Sequence, residues 1–205
     1  MRTQKVPSRH PLVLFLVGRI ERASWVATGM LLTTVALVAT ARLRTPFHPI
    51  PPLVGALEIV SLLMGIPVSM MVQPISKAIE AGSPRVRTLR QAWGCVLVLG
   101  AGGLVAVVAA LGGAHDPLVG ARNAMISCGV ALLTAAWLGA RVSWIPPLSL
   151  SLIILRYGMD FENTPYDWAL PLAAGNEPAS WQAAIVLTVA GVWAYGRWDI
   201  RETEV

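Results

Sequence analysis

The chain alternates long apolar runs with short polar interruptions. The apolar runs fall at about 23–41, 53–72, 92–111, 118–140, 143–157 and 181–198. A helix needs about 20 apolar residues to cross about 30 Å of hydrocarbon. The pattern therefore predicts an all-α membrane protein with six transmembrane helices, forming a single domain over 1–205. Ahead of the first run, Leu12 to Arg22 reads as an amphipathic helix lying at the membrane interface. The run after Arg141 is short: about 15 residues rise about 22 Å. It is followed by GMDFENTPYDWALPLAAGNEPAS, an acidic and aromatic stretch that suits a segment folded partly back into the membrane before the last helix. Pro67 predicts a kink in the second run.

Composition points the same way. The chain is 55% hydrophobic and 13% charged, against about 25% charged residues in an ordinary soluble domain. That leaves too little polar surface for a water-facing globule. The formal charge of +5 is carried on short breaks without the basic–aromatic alternation of a nucleic-acid surface. Six crossings put both termini on one side, with twelve of the 16 basic residues. Because Lys- and Arg-rich short loops stay cytoplasmic, the termini are expected inside a bacterial inner membrane. The bacterial origin is suggested by the Arg- and Ala-rich, Lys-poor composition. Cys95 and Cys128 fall within apolar runs and read as small packing residues.

Pro74 to Trp93 is the only long polar, basic stretch in the middle of the chain, with Lys77, Glu80, Arg85, Arg87 and Arg90. Ser76 or Ser83 is a candidate cap for a short helix there. Its arginines suit an acidic cleft on a soluble partner, anionic headgroups, or no more than an orientation signal. Within the runs, Glu58 stands out, since a charge near a helix centre costs about 2.5–3.5 kcal/mol on insertion scales. It is expected to pair with Arg122 or Arg156, or to be protonated. Either role, a polar clasp between helices or a point on a substrate path, is open. Arg122 and Asn123 fall in the first turns of the fourth run. Gly102, Ala106 and Ala110, and Ser127, Ala131, Ala135 and Gly139, form small-residue stripes that let helices approach closely.

Catalysis is not expected in this chain. His10, His48 and His115 lie in separate breaks without metal-ligand spacing, and no GxSxG elbow is present. The glycine cluster Gly100–Gly103 lacks the GK[ST] of a phosphate loop. One glutamate and one kinking proline give little for an ion-coupled transporter, so an energy source would lie in another chain.

Four places resemble the six-span permease subunits of bacterial ABC exporters, the type-2 permease class common in actinomycetes. They are the early amphipathic segment, IEAGSPRVRTLR, ARNAMISCGVALLTAAWLGARVSWIPPL and DWALPLA. The resemblance implies that Leu12 to Arg22 is an interfacial connecting helix and that Ile75 to Arg90 forms a coupling helix docked in an ATPase cleft. It also implies re-entrant helices over about Asp160 to Pro178, with Asp160 and Trp168 at the outer face. No GxxxxGK[ST] occurs in the chain, so ATP and Mg are expected on a separate ABC ATPase subunit. Two permease chains, identical or different, would complete a transporter of a lipid, peptide or antibiotic. A membrane scaffold or immunity protein that recruits a soluble partner through the same loop is the alternative.

Overall fold

A computed structural model describes residues 56–72, 84–111, 116–160 and 164–197. The predicted interfacial helix 12–22 and first span 23–41, and with them Lys77 and Glu80, lie outside the described residues. Six helices are described: α1 (Ala56–Leu63), α2 (Gly65–Met71), α3 (Pro84–Leu111), α4 (Pro117–Leu138), α5 (Ile145–Tyr157) and α6 (Pro178–Arg197). A 3-10 turn, Leu170–Leu172, sits between the last two. Helix accounts for 81% of the described residues, and no strand occurs among them. The all-α class is therefore as the sequence predicts.

Local chemistry sets the helix ends. The Asp116 carboxylate accepts the Leu118 N–H at 3.1 Å, and Pro117 follows at the first helical position, where a missing N–H is harmless. Gly139 ends α4 at φ 91°, a conformation that only glycine adopts readily. Pro67 acts earlier than a simple kink at its own position. It has no N–H for the Leu63 carbonyl, and its ring crowds that carbonyl. The helix opens at Met64, whose N–H turns back to the Ser61 carbonyl at 3.2 Å. The second run is thus two short helices, α1 and α2.

α4 is the axis of the bundle and packs against α1, α2, α3, α5 and α6. Its predicted small-residue stripe is buried at Ser127, Ala131 and Ala135. The stripe predicted on α3 is buried against α4 at Gly102, half-buried at Ala106 and exposed at Ala110. Leu97, Ala101, Val105 and Ala109 face the core, while Ala110 is exposed and Gly100 and Gly103 face open space. Small residues of α4 meet it: Gly120 faces Val105, and Ala121 lies under Gly102. α4 and α6 touch backbone to backbone where Gly129 faces Leu187 and Gly191 faces Gly129.

Of the predicted crossings, two described helices are long and apolar enough to span a membrane: Arg87–Leu111 and Pro117–Leu138. α5 falls short in length, the second run is broken at Met64, and α6 is diluted by Ser180, Gln182 and Tyr195. The basic stretch also differs from expectation. Pro84 opens a continuous 28-residue helix, so Arg85, Arg87 and Arg90 lie on its first turns, and no separate coupling helix includes them. A Pro at the first helical position after a Ser is an N-terminal signal; the change in polarity at Trp93 falls within one continuous helix.

The Gly129–Gly191 crossing makes a direct prediction. A methyl group on Gly191 would sit 2.6 Å from the Gly129 carbonyl oxygen. Gly191→Ala should destabilise the bundle by about 1–3 kcal/mol through overpacking, seen as a lower Tm in detergent. Gly100→Ala, made into open space, should be neutral or slightly stabilising.

Candidate functional site

The N-terminal end of α4 holds a fully buried arginine, Arg122, beside a fully buried Asn123. A buried guanidinium must spend its N–H groups on acceptors, and the acceptors here are backbone carbonyls. Nη1 donates to Ala174 at 2.8 Å. Nη2 donates to Pro171 at 3.1 Å and to Ala173 at 2.8 Å. Nε reaches Asn123 Oδ1 at 3.3 Å, and Asn123 Nδ2 donates in turn to Pro171 at 2.8 Å. From α6, Ser180 Oγ donates to Leu170 and Trp181 Nε1 to Gly175, each at 2.8 Å. Side chains of α4 and α6 therefore gather the carbonyls of Leu170, Pro171, Ala173, Ala174 and Gly175.

The segment needs such donors because of its sequence. Pro171 and Pro178 interrupt any helix, so its carbonyls cannot all enter an i→i−4 ladder. Among the described residues, Asp116, Glu177 and Glu58 are the acidic side chains whose charge favours the charged form of Arg122. The sequence predicts that Glu58 pairs with Arg122 or Arg156 or is protonated; the hydrogen bonds of Arg122 run to three backbone carbonyls and to Asn123 Oδ1. Arg156 is placed elsewhere, on the exposed end of α5 with its guanidinium 5.1 Å from the Tyr157 ring centre.

One turn further along α4, Ser127 repairs the break between α1 and α2. Its hydroxyl accepts the Gly65 N–H at 3.0 Å and donates to the Leu62 carbonyl. Ser151 of α5 also approaches Leu62 O, at 3.3 Å. Gly65 has to be glycine, since a Cβ would lie 2.6 Å from both Ser127 oxygens. Read from sequence, Ser127 is only a small member of a packing stripe. Gly65 and Pro67, two residues apart in an apolar run, are the signal that a donor and an acceptor would need partners nearby.

The remaining predicted residues sit at two other places. At the start of α3, Arg87 is exposed and Arg90 is buried. Here α3 meets the end of α6, where Gln91 packs on Gly196, and α6 meets the end of α2, where the Tyr195 hydroxyl lies 3.5 Å from the Val72 carbonyl. Beyond α5, the chain makes a short antiparallel pairing. The Tyr166 N–H donates to Gly158 and the Asp160 N–H to Thr164, both at 3.0 Å. The Asp160 carboxylate accepts from the Thr164 N–H at 2.8 Å and from its hydroxyl. Trp168 is exposed and stacks on Tyr166 with ring centres 6.5 Å apart. Among the described residues from Thr164 to Glu177 the only helix is the 3-10 turn, so the expected re-entrant α-helices are absent from that stretch.

Among the described residues, no group of three or more His, Cys, Asp or Glu is placed to hold a metal ion. Cys128 is buried in the core and Cys95 is exposed on α3. Comparison with protein-family models, curated proteins and solved structures returned no match. The chemistry of the site is therefore that of a clasp: donors on α4 and α6 hold irregular backbone in place.

Two substitutions test the clasp. Arg122→Met leaves the Ala173 carbonyl without its donor, while Pro171 keeps Asn123 Nδ2 and Ala174 keeps the Glu177 N–H; a loss of about 1–3 kcal/mol in a detergent unfolding curve is expected. Arg122→Lys keeps the charge without the planar fork and should recover less than half of that loss. Ser127→Ala should cost about 1–3 kcal/mol, while Ser127→Gly adds no further loss from the missing hydroxyl. An unchanged melting curve for Arg122→Met would remove the clasp from any structural role.

Proposed function

We propose that the chain is the membrane permease subunit of an ATP-driven exporter of a hydrophobic or amphipathic cargo: a lipid, a peptide or an antibiotic. Three things support this reading. The first is the resemblance in the segments named above. The second is the distribution of polarity. Val96, Leu99 and Val107 of α3, Leu152 and Ile153 of α5, and Ile185, Val186 and Val189 of α6 are exposed, while Arg122, Asn123, Ser127 and Ser151 are buried. Extended apolar exposure is uncommon on a soluble monomer, and ionisable residues in membrane bundles face the interior.

The third is α3, and it carries the proposal. Twenty-eight residues make a rod of about 42 Å, about 12 Å more than a hydrocarbon core needs. The excess corresponds to the turns bearing Arg85, Arg87 and Arg90. On this reading six helices cross a bacterial inner membrane with both termini in the cytoplasm. The basic end of α3 then projects toward a separate ABC ATPase subunit that binds ATP and Mg. A second permease chain, the same or different, forms the other wall of the cargo path. Because α3 is unbroken and packed along α4, a push at its basic end would pass to the bundle axis as a rigid displacement.

The test is charge reversal on the exposed arginine. Arg87→Glu should weaken co-purification of an ATP-binding-cassette subunit by about tenfold, roughly 1.4 kcal/mol, with membrane insertion unchanged. Full recovery of the ATPase would contradict docking at this end. An inverted topology would make Arg87 an orientation signal only. Hydrolysis by the bound ATPase that ignores every cargo would favour the scaffold or immunity reading.

A further inference from the structure

The exposed face of α5 is continuous and changes character along its length. Ser149, Leu152, Ile153, Arg156 and Tyr157 are all exposed, at the i, i+3, i+4, i+7, i+8 spacing of one helical stripe. The stripe is apolar in its middle and ends in an arginine over an aromatic ring. The antiparallel pairing of Gly158 with Tyr166 then returns the chain to the end of α5. It brings the Tyr166–Trp168 stack there, with both rings about half exposed (46% and 50%).

We propose that Arg156, Tyr157, Tyr166 and Trp168 form an anchor seated in the phospholipid headgroup zone of the outer leaflet. The inference rests on the membrane-spanning reading given above. Helix length is the first consideration. Thirteen residues rise about 20 Å, about 10 Å less than a full crossing, so with Arg156 at the outer headgroups the shortfall falls at the Trp144 end of α5. The second is chemistry. Tyr and Trp favour the interface, where a ring meets apolar chains and its polar edge meets water, and Arg156 can extend its charged head to the lipid phosphates. The third is backbone satisfaction, because the Tyr166 and Asp160 N–H groups are paired with the Gly158 and Thr164 carbonyls, groups that would be costly to leave bare near lipid. Charge selects among lipids: Asp167 and Glu177 are exposed on this side against Arg156, which fits a zwitterionic surface better than an anionic one.

Trp168 is its own probe. Its emission is the difference between the full chain and Trp168→Phe, both reconstituted in phosphatidylcholine vesicles. Lipids brominated near the glycerol end of the acyl chain should quench that difference at least about twofold, and iodide added on both sides should quench it little. Trp193, exposed on the apolar face of α6, is the control, read in the same way through Trp193→Phe. Quenching of Trp193 by bromolipid while Trp168 answers only to iodide would overturn the anchor alone, leaving that face to water or a soluble partner. Two tryptophans that answer only to iodide would overturn the membrane-spanning reading and the anchor with it.

Discussion

The Arg122 guanidinium holds the stretch between Leu170 and Gly175 against the rest of the bundle, through the carbonyls of Pro171, Ala173 and Ala174. A buried carbonyl without a donor costs about 1–3 kcal/mol, and more in a setting that excludes water. With Asn123 beside it and Ser127 one turn on, two turns of α4 supply donors to two irregular stretches of neighbouring backbone. Both departures from regular structure, the break at Met64 and the segment after α5, exist where α4 can meet them. The polar residues of α4 are thus positioned by what the neighbouring backbone lacks.

This arrangement explains why α4 is the packing axis. Its partners approach closely at Gly120 and Gly129, which brings the backbones of α1 and α6 within reach of short polar side chains. Small residues therefore do two things in this bundle: they shorten interhelical distances, and they make serine long enough to act as a bridge. α3 has a different relation to the axis. It packs along α4 on one side, exposes valines and leucines on the other, and continues without interruption into its arginine-bearing turns. In an ATP-driven exporter, such a rod would carry movement, and the clasped segment would be the part that resists it.

The sequence reads well where the physics is local and side-chain based. Apolar runs locate α3, α4, α5 and α6 to within a few residues, apart from the start of α3. Glu58, Arg122 and Asn123 stand out because ionisable and amide groups are rare in such runs. What the residues do is less legible. Arg122 invites a search for a carboxylate, yet carbonyl oxygens occur at every position and leave no trace in the sequence. Ser127 is indistinguishable in pattern from Ala131 and Ala135, and its role depends on a break in another helix 62 residues away. The basic start of α3 looks like a loop because polarity changes there, although Pro84 is the kind of residue that begins a helix. The stripe on α3 holds at Gly102 and is lost toward Ala110: glycines and alanines occur on two faces, and only the partner decides which face is buried.

The most direct measurement is hydrogen exchange at the Arg122 guanidinium, followed by NMR of the protein carrying nitrogen-15 arginine in lipid nanodiscs. Four hydrogen bonds in a fully buried site predict resolved Nη signals. Their exchange should be at least about a hundredfold slower than that of the exposed Arg87, as for protons released only by local opening. Averaged signals that exchange as fast as those of Arg87 would mean that the guanidinium is hydrated, and that the segment after α5 is held by something else.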